Sequence, residues 1–229
     1  MGCQANEPKF YIGVSQCSDD EWRDKMNSEI ETESWFYDHV EVEFRNAFDN
    51  TEQQRKDIDY FKNKGVDLLI VAPNEGSALT PAIQSLMNDG VPVIVVDRKT
   101  DSEIYTAYIG GDNLGIGRAV GKYMGSAISA PTKVVEITGL PGATSSIERS
   151  QGFKEGISGY PNLKLIATDV ANWLEADAYV VMQKLLMEHA DIDVVFAHND
   201  RMAKGAYRAA LEFGRADAIV HIIHSSTVM

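Results

Sequence analysis

Cysteine is scarce: Cys3 and Cys17 are the only two in 229 residues. The strand expected from Lys9 to Ser15 lies between them and at about 3.3 Å per residue holds them more than ~20 Å apart, so no framework disulfide is expected. Long apolar runs are also missing. None approaches the length of a membrane span, and the stretch ahead of the first strand is too short to hold the apolar region of a signal peptide. Clusters of positive charge are absent too: 21 Lys and Arg face 34 Asp and Glu, a formal net charge of −13. A surface that tracks phosphates needs grouped cations, so nucleic acid is excluded as a partner, and small solutes or proteins are indicated. There is no GxxxxGK[ST], HExxH or GxSxG motif and no Cys/His cluster, so no metal, no cofactor and no catalytic apparatus is expected. His221 and His224 stand three apart on an expected strand, where side chains point to opposite faces, and do not form a chelating pair.

What is present is ordinary globular material, 44% hydrophobic and 24% charged, enough for one large or two small domains. Short β-branched runs alternate with helical patterns. Strands are expected at Phe10 to Ser15, His39 to Phe44, Val66 to Ala72 and Val93 to Val96, with helices from about Trp22, over Glu52 to Lys64 and over Ala78 to Asn88. Gly65 is placed to end the second helix in the left-handed conformation. After Asp112 the pattern restarts, with strands at Lys133 to Thr138, Leu163 to Ala167, Asp193 to Ala197 and Ala218 to Ile223, separated by helices over Ser146 to Gly156, Glu175 to His189 and Met202 to Phe213. Strand and helix at this spacing predict an α/β fold of two tandem, doubly wound parallel-sheet lobes, residues 1–109 and 110–229, joined through a structured hinge strand at Tyr108 to Asp112. Gly115, Gly117 and Gly121 resemble a dinucleotide fingerprint but are misspaced and open the second lobe, which favours close helix packing instead.

Ligands of open parallel sheets sit beyond the carboxyl ends of the strands. The loops there carry Ser15 to Trp22 with Asp19, Pro73-Asn74, Asp97-Arg98, Glu148-Arg149, Asn172-Trp173 and Asn199-Asp200. These residue types suit a sugar: carboxylates accept from hydroxyls, planar guanidinium groups donate, the Asn199 amide does both, and Trp22 and Trp173 can cover the C–H face of a ring. Each has a plainer role as well. Asp97-Arg98 can be a salt-bridged turn, Trp173 can simply pack, Arg149 can pair with a surface neighbour, and Asp200 is placed to cap the helix that follows it.

Five stretches carry a specific resemblance: Tyr11-Ile12-Gly13-Val14-Ser15, Val91 to Arg98 (VPVIVVDR), Gly111-Asp112-Asn113, Ser146 to Phe153 (SIERSQGF) and Phe196 to Asp200 (FAHND). Together they resemble the type I periplasmic sugar-binding proteins, the ribose- and galactose-binding family, over nearly the whole chain. The resemblance implies that Asp97, Arg98, Arg149, Trp173 and Asn199 line a monosaccharide site in a cleft between the lobes, with Ser15, Asp19 and Trp22 from the first loop. It implies hinged closure on a sugar that is delivered or reported unchanged. The partner is then a transporter permease of the ABC class or a sensor-kinase module, the Bacteroides-type hybrid two-component sensors being one specific case. An enzyme of small polyols or nucleotides on a related scaffold is the alternative. Gly2-Cys3-Gln4 is similar to the end of a lipoprotein cleavage site, which implies a lipid anchor at Cys3 in the periplasm.

Two departures stand out. Asp19, Asp20 and Glu21 occupy a loop where the family favours Asn and aromatic residues. The last strand, Ile219 to Ser225, has His224 where the family has a Gly-x-Asp ending, so a second lobe that is incomplete and a truncated chain are expected.

Overall fold

Nine parallel strands alternate with seven helices among the described residues, which in the computed structural model are 9–217, 219 and, for the backbone, 221–224. Cys3 lies outside them, as do the side chains of His221 and His224. The chain divides into two compact units, Met1–Gly111 and Asp112–Met229.

The first unit contains β1 (Phe10–Gln16), α1 (Glu21–Ser34), β2 (Val40–Asn46), α2 (Thr51–Lys64), β3 (Leu68–Val71), α3 (Gly76–Asn88), β4 (Val93–Val96) and β5 (Ala107–Ile109). Its sheet runs β2-β1-β3-β4-β5, parallel throughout. Alternation along the central strands divides the core: Leu69, Val71, Val93 and Val95 meet Ile58 and Phe61 of α2 and Leu79, Ile83 and Leu86 of α3. Ile70, Ile94 and Val96 turn to the other face, with Met26 of α1. Gly65 ends α2 at φ 78° as the sequence predicts. The expected hinge strand is shorter than its sequence suggests. β5 is an edge strand paired with β4, and Asp112 instead caps α4, its carboxylate accepting from the Gly115 N–H at 2.8 Å.

The second unit contains α4 (Asn113–Ala127), β6 (Thr132–Thr138), α5 (Thr144–Ile157), β7 (Leu163–Val170), α6 (Glu175–Glu188), β8 (Val194–Ala197), α7 (Asp200–Glu212) and β9 (His221–His224). The order is β7-β6-β8-β9, again all parallel. Val134, Val194 and Phe196 face Val120 and Met124 of α4 and Phe153 and Ile157 of α5, with the Phe153 and Phe196 rings 4.5 Å apart. Val135, Ile137, Val195 and Ala197 face α6 and α7. A Cβ at Gly117 would lie 2.1 Å from the Arg149 carbonyl oxygen, so this glycine lets α4 and α5 touch along their backbones. One boundary differs from expectation and another falls partly outside the described residues. The described part of the last strand is His221–His224, and Ala218, where its start was expected, lies outside the described residues. The cap of α7 is Asn199, which accepts from the Met202 N–H at 2.8 Å, leaving Asp200 in the first turn.

Both sheets reverse direction of growth beside their first strand, β1 lying between β2 and β3, and β6 between β7 and β8. Such switch points leave a crevice at the carboxyl ends of the strands.

Candidate functional site

In the first unit the strand ends gather a buried polar cluster. β1 and the loop after it bring Ser15, Gln16 and Ser18, all enclosed, and Asp20 then caps α1 by accepting from the backbone of Trp22 and Arg23, each at 3.0 Å. Ser18 holds the other oxygen of that carboxylate at 2.8 Å. The cap fixes the first turn of α1, which points Arg23 inward to donate from Nη2 to Asp97 at 2.6 Å. Trp22 is 58% exposed, its ring lying 4.8 Å from the Arg23 guanidinium. Arg98, also buried, donates from Nη1 to both the carbonyl and the side-chain oxygen of Asn74, each at 3.1 Å. Asp97 and Arg98 are therefore no simple salt-bridged turn. Their closest charged atoms are 4.0 Å apart, and the partner of Asp97 is Arg23.

Arg23 escaped the sequence reading. The available signal was a cation directly after Trp22 in the first turn of a helix, where the dipole favours anions. Such a residue needs a nearby carboxylate. Ser15 belongs to the buried part of this cluster, linked through Gln54 to Asn74, and Asp19 does not. The Ser15 hydroxyl is enclosed and faces the Gln54 amide at 3.4 Å, so it braces the strand end, while Asp19 is exposed and accepts from Asn46 at 3.2 Å. Burial pushes the Asp49 carboxyl up, with the charge of Arg98 opposing.

In the second unit Arg149 sits in the second turn of α5, donating from Nε to Asn113 at 2.9 Å and from Nη1 to the His198 carbonyl at 2.5 Å. Its guanidinium lies 5.5 Å from the Trp173 ring. Asn199 donates to the Trp173 carbonyl at 3.3 Å. Arg149, Trp173 and Asn199 thus form one group, as do Trp22, Asp97 and Arg98 in the first unit. Trp173 adopts φ 69° and Asn172 φ 49°, and the indole lies on Gly139, where a Cβ would come within 2.1 Å of it. Among the described residues, the five non-glycine residues of positive φ, Phe48, Asp49, Asp97, Asn172 and Trp173, follow the carboxyl ends of β2, β4 or β7. Backbone strain of about 1–3 kcal/mol per residue concentrates where function holds it.

Beneath this group Glu136 and His198 are fully enclosed, with His198 Nε2 3.1 Å from Glu136 Oε1. Ser150 and Thr168 donate to the other carboxylate oxygen, each at 3.1 Å. Burial holds the His198 imidazole below its ordinary range, against the pull of Glu136. Burial also works against the Glu136 charge, but the hydrogen bonds from His198 and Ser150 prevail and hold that carboxyl below the usual value. Glu136 was missed as well. A lone acid within the apolar run Val134 to Ile137 was its signal, since such residues are buried only when paired.

Taken together, each unit presents planar cation donors, an amide or carboxylate acceptor and an indole at its strand ends. That set matches a small, uncharged, hydroxyl-rich solute. Among the described residues no group of His, Cys, Asp and Glu side chains could hold a metal ion, and no helix is long and apolar enough to cross a membrane. The sequence pattern of the periplasmic binding protein domain matches residues 10–228. The chain belongs to the periplasmic binding protein family. Among solved members, the fructose-binding periplasmic domain of a hybrid two-component system is 48% identical, with a TM-score of 0.89 over 94% of this chain and 71% of that one. The myo-inositol-binding protein of Caulobacter is 31% identical, with a TM-score of 0.86 over 93% of this chain and 75% of that one. The ribose import binding protein of Bacillus subtilis (strain 168) is 31% identical over 169 residues, 74% of this chain and 55% of the relative. The chain spans 55% to 65% of the length of the ribose import binding proteins it matches in B. subtilis and Salmonella typhimurium. These relatives are binding proteins, and the α/β fold with two parallel sheets is the type I periplasmic binding protein fold.

Proposed function

We propose that this protein binds a monosaccharide or a similar small polyol in the periplasm and passes it on, or reports it, unchanged. The observation that carries the reading is the anchoring of two guanidinium groups at strand ends, Arg98 on Asn74 and Arg149 on Asn113 and the His198 carbonyl. Held in this way, a fork donates to hydroxyl or ring oxygens with little further loss of side-chain freedom. Asp97, Arg98 and Trp22 supply the first unit's contacts, with Arg23 orienting Asp97 and Asp19 at the rim. Ser15 supports them from below. Arg149, Trp173 and Asn199 supply the second unit's contacts. The names of the relatives, which include fructose-, ribose- and inositol-binding proteins, support a sugar or cyclic polyol as the ligand class.

The partner in this reading is an ABC-transporter permease or a sensor-kinase module. The 48% identity to a two-component periplasmic domain favours the sensor. A lipid anchor at Cys3 fits either role, and labelled fatty acid should be incorporated when the gene is expressed with its upstream sequence and lost in Cys3→Ala. Thermal-shift screening of D-fructose, D-ribose, D-galactose and myo-inositol, with mass spectrometry of the recovered solute, tests the whole reading. The expected result is a raised melting temperature with the solute unchanged. A converted product would replace binding with catalysis.

A further inference from the structure

Glu136 and His198 belong to no ligand contact described above, yet among the described residues of the second unit they are the most thoroughly enclosed ionisable pair, both side chains 0% exposed. Apolar residues of the same volume are often as stable as a buried pair or more so, because desolvating two polar groups offsets most of their attraction. Something other than stability therefore accounts for the pair, and the hydrogen-bond directions indicate what. The Gly139 N–H points at His198 Nδ1 from 3.4 Å, which makes Nδ1 the acceptor. The ring proton is then on Nε2, where it is donated to Glu136 Oε1 at 3.1 Å, while Ser150 and Thr168 occupy the second carboxylate oxygen. The pair is satisfied in one tautomer and one charge state, with a neutral imidazole and an ionised carboxylate.

Three groups of the proposed site are tied to His198. The backbone carbonyl of the same residue accepts from Arg149. The imidazole ring centre is 6.1 Å from that of Trp173. The Gly139 backbone it holds is the surface on which the Trp173 indole rests. We propose that His198 is a positioning residue whose neutral, Nε2-protonated imidazole fixes Gly139, Trp173 and Arg149 in the ligand-receiving arrangement, so that its protonation lowers sugar affinity. This rests on the reading of Arg149 and Trp173 as sugar contacts. A second proton would go to Nδ1, where it meets the Gly139 N–H head on. The contact breaks, and the seat of Trp173 moves with it. The charged groups facing the ring are Glu136 on β6, which favours protonation, and Arg149 and Lys154 on α5, which oppose it together with burial. The switch therefore operates on the acid side of an ordinary histidine.

His198→Gln keeps a donor toward Glu136 and cannot take the second proton. On the full chain, calorimetric titrations of D-fructose and D-ribose between pH 7.5 and 5 should show wild-type affinity falling with pH, by at most about tenfold per unit for one linked proton, and the Gln variant should be flat. Parallel profiles in the two folded proteins would overturn the proposal. Two readouts need no ligand. Imidazole nitrogen NMR should give the Nε2–H tautomer at neutral pH and titration below about 6.5, and near-ultraviolet dichroism should show an acid transition in wild type that His198→Gln lacks. An Nδ1–H tautomer, a charged ring at neutral pH, or the same transition in both proteins would overturn it. Failure of both sugars to bind at any pH, with the tautomer and the transition as expected, would remove the sugar reading alone and leave His198 as the device that sets Trp173.

Discussion

Replacing Asp97 by Asn isolates the charge that holds Arg23. Asn is among the few side chains that tolerate a left-handed backbone, so the φ of 63° at this position survives and the geometry of the turn is kept. What changes is the partner of a guanidinium whose side chain is 4% exposed and whose Nη1 has no hydrogen-bond partner among the described residues. Uncoupling a buried ion pair by removing one member costs about 3–5 kcal/mol. The Asp97 side chain is 27% exposed, and water reaching it lowers the expected loss to about 2–3 kcal/mol. Arg23→Met removes the cation while leaving Asp97 free to turn toward Arg98, 4.0 Å away, and should cost about 1 kcal/mol. In the double variant the losses should not add, and a coupling of about 1–2 kcal/mol is expected. Equilibrium urea unfolding followed by tryptophan fluorescence reads all four proteins, Trp22 lying against the guanidinium at 4.8 Å. Losses that add to within about 0.5 kcal/mol would mean that the two side chains do not act as a pair, and Arg23 would then have no part in orienting Asp97.

Gly139→Ala puts a methyl group into the Trp173 indole, 2.1 Å from its nearest atom. It should shift tryptophan emission and weaken sugar binding without unfolding the protein, and an unchanged spectrum would refute the contact. Asn199→Ala removes the cap of α7 and should cost about 0.5–2 kcal/mol in urea unfolding. The acid limb of stability should carry the signature of Glu136. Its carboxyl is held below the ordinary value of 4.5, so its contribution is present above that pH and is lost as pH falls through the lowered value. Denaturation of Glu136→Gln should be less steep in that range, and identical acid limbs would contradict the assignment.

Most of the scaffold was legible because parallel strands covered on both faces read as short β-branched runs, and β3, β4, β6 and β8 are of that kind. Boundaries moved where a side chain, and not periodicity, sets the end. Asn199 outranks Asp200 as a cap because its amide oxygen reaches the Met202 N–H, which hydropathy does not encode. The strand-end residues were legible as types, and the structure groups Trp22 with Asp97 and Arg98, and Arg149 with Trp173 and Asn199. Partners were not legible. Asp97 and Arg98 are adjacent in sequence, yet Asp97 binds Arg23 from another element and Arg98 binds Asn74. Ser15 lies on the inward phase of β1, behind Gln54, a burial that the motif alone does not reveal. Arg149 was expected to line a sugar site or to pair with a surface neighbour. Its ties to Asn113 and His198 mean that its loss also loosens α5 and the end of β8.

The central claim is that anchored guanidinium groups at the strand ends receive a sugar, and calorimetric titration of D-fructose, D-ribose and D-galactose into the wild type and Arg149→Ala tests it most directly. One hydrogen bond to a charged donor contributes about 1.5–3 kcal/mol, so the account predicts saturable binding of at least one of these sugars to the wild type and a loss of roughly ten- to a hundredfold in a variant whose dichroism is native. Undiminished affinity in the folded variant, or no saturable heat from any of the three sugars with the folded wild type, would contradict it.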